Sequence, residues 1–253
     1  MTSQVVERAG AQLYVEIEGS GEPVLMLHGG LGHMGWFVEV RAQLVNRGRR
    51  VVLVDTRGMG RSSLGAVDLS YGVQENDAYA VLDATGVRAC PVIGFSDGGI
   101  VGYRMAASAN TRVSALVTIG SRWSAENGRS MWESFDSWDR TFFEASDFQS
   151  IVEDYDRLNP DRNFDRMMRQ AAAMWKESGP NGHPETTIED IAVPVLLVVG
   201  DDDPFLSVED AKEAKSRIEN AELLVVPAAT HDAFRQRPDI FNPALDRFLA
   251  SLG

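Results

Sequence analysis

The sequence predicts an α/β fold: a sheet of about eight mostly parallel strands with helices on both faces and a helical lid. Three observations predict it. Short apolar runs alternate with longer amphipathic segments along most of the chain, as parallel strands joined by crossover helices require. Those runs are nearly continuous in Val, Leu and Ile, the composition of strands covered on both faces. The one long departure, Ser121 to Asp190, contains no β-like run and is rich in aromatic and charged residues. A structureless loop of that length does not suit a compact domain, so it reads as a helical insertion.

In chain order, Gln4 to Arg8 and Leu13 to Glu18 alternate around Ala9, Gly10 and Ala11, predicting an antiparallel hairpin at the sheet edge. Six buried strands follow, at Pro23 to Leu27, Arg50 to Val54, Pro91 to Phe95, Val113 to Ile119, Val193 to Val199 and Leu223 to Val226. Helical spacing marks Trp36 to Asn46, Tyr71 to Ala84, Gly99 to Ala109, Val208 to Ile218 and Pro238 to Leu252. In the last of these, Ile240, Phe241, Leu245, Phe248, Leu249 and Leu252 define one apolar face. The cluster Gly179 to Pro184 ends the last helix of the insertion. The expected organisation is a core over residues 1–120 and 191–253 interrupted by a lid over 121–190. The lid aromatics are expected mainly to dock it, with Trp123 and Trp138 as candidates to line a ligand pocket.

Composition narrows the function. The 253 residues carry 24 Lys and Arg against 37 Asp and Glu, a net charge of −13, which disfavours attraction to nucleic-acid phosphates or anionic lipid. The single cysteine, Cys90, lies in an apolar run, cannot form an internal disulfide and reads as a small buried residue. Met1 to Ile17 lacks the basic and apolar blocks of a secretory signal. No apolar run reaches the about 18 residues of a membrane span. A cytoplasmic protein without nucleic-acid or membrane partners is therefore expected.

The most specific motif is Gly94-Phe95-Ser96-Asp97-Gly98-Gly99, G-x-S-x-G between a strand and a helix. In that context the serine occupies a sharp, strained turn that lifts its hydroxyl above the sheet, and the flanking glycines avoid collisions with neighbouring backbone. The helix start behind it offers free N–H groups to a developing oxyanion. A nucleophilic serine needs a base. Of four histidines, His231 is the candidate, since it lies between the last strand and the last helix. His28 is placed to order its loop, while His33 and His183 are expected to be solvated. The base needs a carboxylate, and Gly200-Asp201-Asp202-Asp203-Pro204 supplies three at a strand's carboxyl end. Asp203 is favoured because a residue before proline is held extended.

The order of strand, His28-Gly29-Gly30, Asp55 with Arg57 to Ser62, elbow at Ser96, lid, Asp203 and His231 resembles the α/β-hydrolase superfamily. The resemblance covers almost the whole chain and implies an α/β-hydrolase fold with Ser96, Asp203 and His231 as catalytic triad. It places an oxyanion hole at the backbone N–H of Asp97 and of Gly30 or Leu31, and gives Asp55 and Arg57 a structural role. Relatives that open epoxides or displace halide carry aspartate at the elbow, so Ser96 points to acyl transfer. The run Gly-x-Ser-Asp-Gly-Gly is similar to the biphenyl-hydrolase-like group, one member of which holds a substrate ammonium with this aspartate. Asp97 is accordingly a candidate for amine binding, beside a structural role at the helix start.

The activity expected is hydrolysis of a small carboxylic ester, thioester or lactone with no cofactor and no metal. The acidic surface and Asp97 favour a neutral or cationic substrate. The alternatives are a carbon–carbon bond hydrolase or perhydrolase using the same triad, and a slow-turnover ligand receptor of this fold.

Overall fold

The computed structural model describes residues 1–110 and 112–252. The expected hairpin forms from β1 (Thr2–Arg8) and β2 (Ala11–Glu18). Ala9 and Gly10 turn it with φ of 46° and 75°, the two positive angles that match the twist of the flanking strands. Then come β3 (Pro23–Leu27), α1 (Val38–Asn46), β4 (Arg50–Val54), α2 (Tyr71–Ala84), β5 (Cys90–Phe95), α3 (Asp97–Ala107) and β6 (Val113–Ile119). Between β6 and the next strand lie α4 (Trp132–Phe135), α5 (Arg140–Glu144), α6 (Gln149–Leu158) and α7 (Phe164–Trp175), flanked by two 3₁₀ turns. The chain closes with β7 (Val195–Gly200), α8 (Val208–Arg217), β8 (Ala221–Val226), α9 (Ala233–Gln236) and α10 (Pro238–Ala250). β7 starts two residues later than the apolar run suggests, because Pro194 has no N–H to enter the ladder.

All eight strands join one sheet in the order β1-β2-β4-β3-β5-β6-β7-β8. Only β2 runs against the rest. Alternate residues feed opposite faces: Leu25, Leu27 and Val52 pack with Val81 and Val101 of α2 and α3, while Val24, Met26 and Leu53 pack with Leu44 and Leu245 of α1 and α10. Cys90 is 2% exposed, and burial pushes its thiol up to about 11. The strand order reverses between β3 and β5, and ligands of open α/β sheets bind outside the carboxyl ends of strands at such a reversal.

The segment from Asp55 to Leu64 ties the sheet to its surroundings. Asp55 accepts the N–H groups of Met34 and Arg61 at 2.7 and 2.8 Å. Asn159, after α6, donates to the carbonyls of Gly58, Gly60 and Ser62, so the helical segment is anchored to this loop. Arg57 is 0% exposed and meets both carboxylate oxygens of Asp77 in α2 at 2.7 Å. Removing one partner of a buried pair strands the other charge. Asp77→Ala should therefore lower stability by about 3–5 kcal/mol, read as a shift in the urea unfolding midpoint. A loss below about 1 kcal/mol would show that Arg57 is not stranded, its bonds to the Leu64 and Arg8 carbonyls sufficing. No described helix is long and apolar enough to cross a membrane.

Candidate active site

β5 delivers Ser96 into a turn with φ 51° and ψ −118°, a left-handed conformation that a non-glycine residue keeps only when its surroundings force it. The force is steric. A Cβ at Gly98 would lie 2.1 Å from the Leu27 carbonyl oxygen, and one at Gly94 would lie 2.4 Å from that of Gly98, so the turn closes only with glycine at 94 and packs against β3 only with glycine at 98. α3 therefore begins at Asp97, directly behind the serine, and its first N–H groups have no partner within the helix.

Asp203 and His231 are brought together. Asp203 Oδ1 and Oδ2 lie 3.0 and 2.9 Å from His231 Nδ1, and the carboxylate side chain is 0% exposed. Oδ1 also accepts the N–H groups of Phe205 and Leu206 at 2.8 and 3.2 Å. A carboxylate can only accept here, so Nδ1 carries the imidazole proton and Nε2 presents its lone pair. The ring is held between Phe95 and Phe205, with centroids 4.9 and 4.7 Å away. Of the other two aspartates, Asp201 accepts the Ala229 N–H in the turn and Asp202 is exposed. Among the described residues no hydrogen bond of 3.5 Å or less joins Ser96 Oγ to His231; such bonds are often long or poorly aligned before substrate arrives.

Gly120, beyond β6, was not singled out by sequence reasoning, although an isolated glycine at a strand's carboxyl end is a usable signal. At φ 58°, a Cβ there would lie 2.8 Å from His231 Nδ1 and 3.0 Å from Asp203 Oδ2. Gly120→Ala should displace the imidazole and lower kcat about 10- to 100-fold with a smaller effect on KM. Steady-state kinetics on a simple ester test this, and unchanged kcat would show that the pair tolerates the methyl group.

The His28 loop crosses the elbow. His28 Nδ1 donates to the Gly29 carbonyl at 2.8 Å and Nε2 accepts the Thr56 N–H at 2.9 Å; burial pushes its pKa down. It orders the loop, as expected. Leu31 sits at φ 61°, and a Cβ at Gly30 would lie 2.4 Å from Asp97 Oδ2. The loop backbone thus lies directly on the residue after Ser96.

Asp97 is 5% exposed, and both its oxygens are bonded: Oδ1 to the Tyr71 hydroxyl at 2.9 Å and Oδ2 to Trp175 Nε1 at 2.8 Å. Burial pushes its carboxyl up, against the pull of those two donors and of the nearby Arg122 charge. It joins α2, the elbow and α7, and its partners lie 26 and 78 residues away, beyond any local pattern. The amine-binding expectation meets a carboxylate already occupied on both oxygens.

Trp123 donates to the Asp210 carbonyl at 3.2 Å under the Arg217 guanidinium, so it docks α8. Trp138 packs with Phe135, Phe142, Phe143 and Trp175 in the helical segment. His33 bonds Asp154 of α6 at 3.3 Å. His183, expected to be solvated, is 2% exposed, because its Nδ1 is tied to the Glu177 carbonyl and its ring packs edge-on against Tyr71. Burial pushes its pKa down to about 3. Among the described residues no group of three His, Cys, Asp or Glu side chains is arranged to hold a metal.

A strained serine at the sheet's topological switch, with a histidine–aspartate pair from the following strands, defines a fold and site of the hydrolase class. The chain belongs to the alpha/beta hydrolase family, whose model matches residues 24–244. It is 34% identical over 122 residues to RutD of Variovorax paradoxus (strain S110), a protein for which carbamate hydrolysis is proposed; the match covers 47% of this chain. The chain matches less than half the length of the first such relatives, 45% and 44%. Over nearly full length it is 28% identical to a non-heme haloperoxidase of Rhodococcus erythropolis, covering 96% of this chain and 97% of that protein. Its backbone resembles that of an esterase from Exiguobacterium antarcticum, with TM-score 0.78 and 21% identity over 99% of this chain and 100% of that one, a likeness of fold.

Proposed function

We infer that the protein is a serine hydrolase that cleaves a small carboxylic ester, thioester or lactone through an acyl-enzyme on Ser96. The observation that carries this reading is the buried Asp203 carboxylate on His231 Nδ1, which leaves Nε2 basic on the side of the sheet where the strained Ser96 emerges. Asp203 fixes the tautomer and stabilises the imidazolium that forms.

In the first step Ser96 Oγ bonds to the substrate carbonyl carbon while its proton passes to His231 Nε2. The oxyanion takes hydrogen bonds from the backbone N–H of Asp97 and of Gly30 or Leu31. Collapse breaks the carbonyl–oxygen or carbonyl–sulfur bond, and the leaving group takes the proton from His231. Water then attacks the acyl-enzyme, giving its proton to the same nitrogen, and release of the acid returns that proton to Ser96. No step calls on a metal or cofactor. Residues 121–190 act as a lid over a core formed by 1–120 and 191–253, and Asp97 positions that lid through Trp175.

The test is intact mass spectrometry after incubation with a fluorophosphonate. One adduct on the wild type and none on Ser96→Ala is the expected result. No adduct on the wild type, at concentrations that label a control esterase, would overturn the reading and favour a ligand receptor of the same fold.

A further inference from the structure

Arg122 lies just past the carboxyl end of β6, in the middle of the sheet between β5, which carries Ser96, and β7, which leads to Asp203. Its side chain lies mostly out of solvent: the residue is 7% exposed. The guanidinium carbon stands 5.9 Å from the centre of the Phe135 ring in α4. A Cβ at Gly128 would lie 1.8 Å from Nη1, so glycine there leaves the group its space. Yet no carboxylate of the described residues comes within 4.0 Å of it, and Nη1 has no hydrogen-bond partner.

That is an anomaly for a buried cation. Charges taken out of water cost several kcal/mol unless they are paired and hydrogen-bonded, and buried polar groups nearly always have partners. The other buried arginine, Arg57, follows the rule with bonds to Asp77, Leu64 and Arg8. Two groups that feel the Arg122 charge do not bond to it. Asp97 feels its charge, but the Asp97 oxygens are bonded to Tyr71 and Trp175. His183, also within reach of that charge, is tied to Glu177 through Nδ1, while its buried Nε2, like Arg122 Nη1, has no partner. A guanidinium serving only as counter-ion to Asp97 would gain most by touching it. What remains is a planar guanidinium with an unpartnered Nη1, of a shape that suits a carboxylate, just past the strand next to the one that carries the nucleophile.

We propose that Arg122 is the carboxylate-recognition residue of the substrate pocket, and that the preferred substrate is an ester carrying a second, ionised carboxylate. The proposal rests on the serine-hydrolase reading for the reaction and adds the class of substrate, replacing the expectation of a neutral or cationic one. The ligand's carboxylate supplies the negative charge that the protein leaves out, so substrate binding completes a buried ion pair between lid and core.

Equilibrium binding to Ser96→Ala tests it without turnover. The probes for calorimetry are monoethyl succinate and monoethyl glutarate, with the carboxylate on the acyl side, acetoxyacetate, with it on the alcohol side, and neutral ethyl butyrate. At least one anionic ester should bind about 10- to 100-fold more tightly than ethyl butyrate, and which one does so tells the side of the ester that faces Arg122. In Ser96→Ala carrying Arg122→Gln that preference should vanish, and Arg122→Lys should keep part of it as a point charge. With Ser96 present, the ratio of kcat/KM for the anionic over the neutral ester should fall by the same factor. The comparison of esters on Ser96→Ala needs no change at Arg122, so it decides even where Arg122→Gln does not fold. Equal affinity for anionic and neutral esters, no binding of any anionic ester, or a preference that survives Arg122→Gln would each overturn the proposal. Fluorophosphonate labelling reports separately: an adduct on Ser96 without a carboxylate preference defeats the subsite alone, and a carboxylate preference without an adduct defeats the hydrolytic reading alone.

Discussion

Ser96→Ala is expected to lower kcat/KM for simple esters by at least about 10⁴-fold while leaving the protein as stable as the wild type. Both halves follow from the elbow. The hydroxyl is the only atom of the residue that can form the acyl bond, and a residual rate would come from water held by the same oxyanion donors. The strain at φ 51° resides in the backbone, so alanine inherits it unchanged. No described hydrogen bond is lost with the hydroxyl, and no buried group is left without a partner; the unfolding midpoint should shift by less than about 0.5 kcal/mol in free energy. A variant that keeps more than a tenth of the activity, after contaminating esterase is excluded with the fluorophosphonate, would remove Ser96 from the reaction.

The parts of this protein legible in its sequence are those whose causes are local. β3, β4 and β6 match their apolar runs from end to end, because strands covered on both faces read as near-continuous apolar runs. The glycines at 94 and 98 announced the elbow for a similar reason, since only they fit its close contacts. Asp203 was legible through Pro204, which restricts the residue before it. What was hidden depends on distant packing. The region from 121 to 190 divides into four short helices and two 3₁₀ turns, with boundaries set by caps such as Asp139 and Asn163 and not by a long apolar period. His183 looks like a loop histidine until the fold lays it against Tyr71. Asp97 looks available to a ligand until Tyr71 and Trp175 reach it, and the unpartnered Nη1 of Arg122 exists only once the segment from 121 to 190 packs on the sheet.

Asp203→Asn should lower kcat by about 10⁴-fold with little change in KM, although the two side chains have the same shape. The reason lies in the other bonds of Asp203. Oδ1 accepts the N–H groups of Phe205 and Leu206 as well as facing His231. An asparagine has one accepting oxygen, and two backbone donors fixed by the turn claim it. Its NH₂ is then turned toward Nδ1, which must accept, so the imidazole proton moves to Nε2. That nitrogen can no longer take the proton of Ser96, and the imidazolium loses its counter-charge. The exposed Asp202 shares none of these contacts, and Asp202→Asn should keep kcat within about twofold. Proton NMR of the imidazole NH groups distinguishes the tautomers directly: Asp203→Asn should lose the downfield Nδ1 proton resonance of the wild type. If kcat stayed within tenfold of wild type while that resonance vanished, the tautomer would not control the rate, and the case for His231 as general base would fail with it.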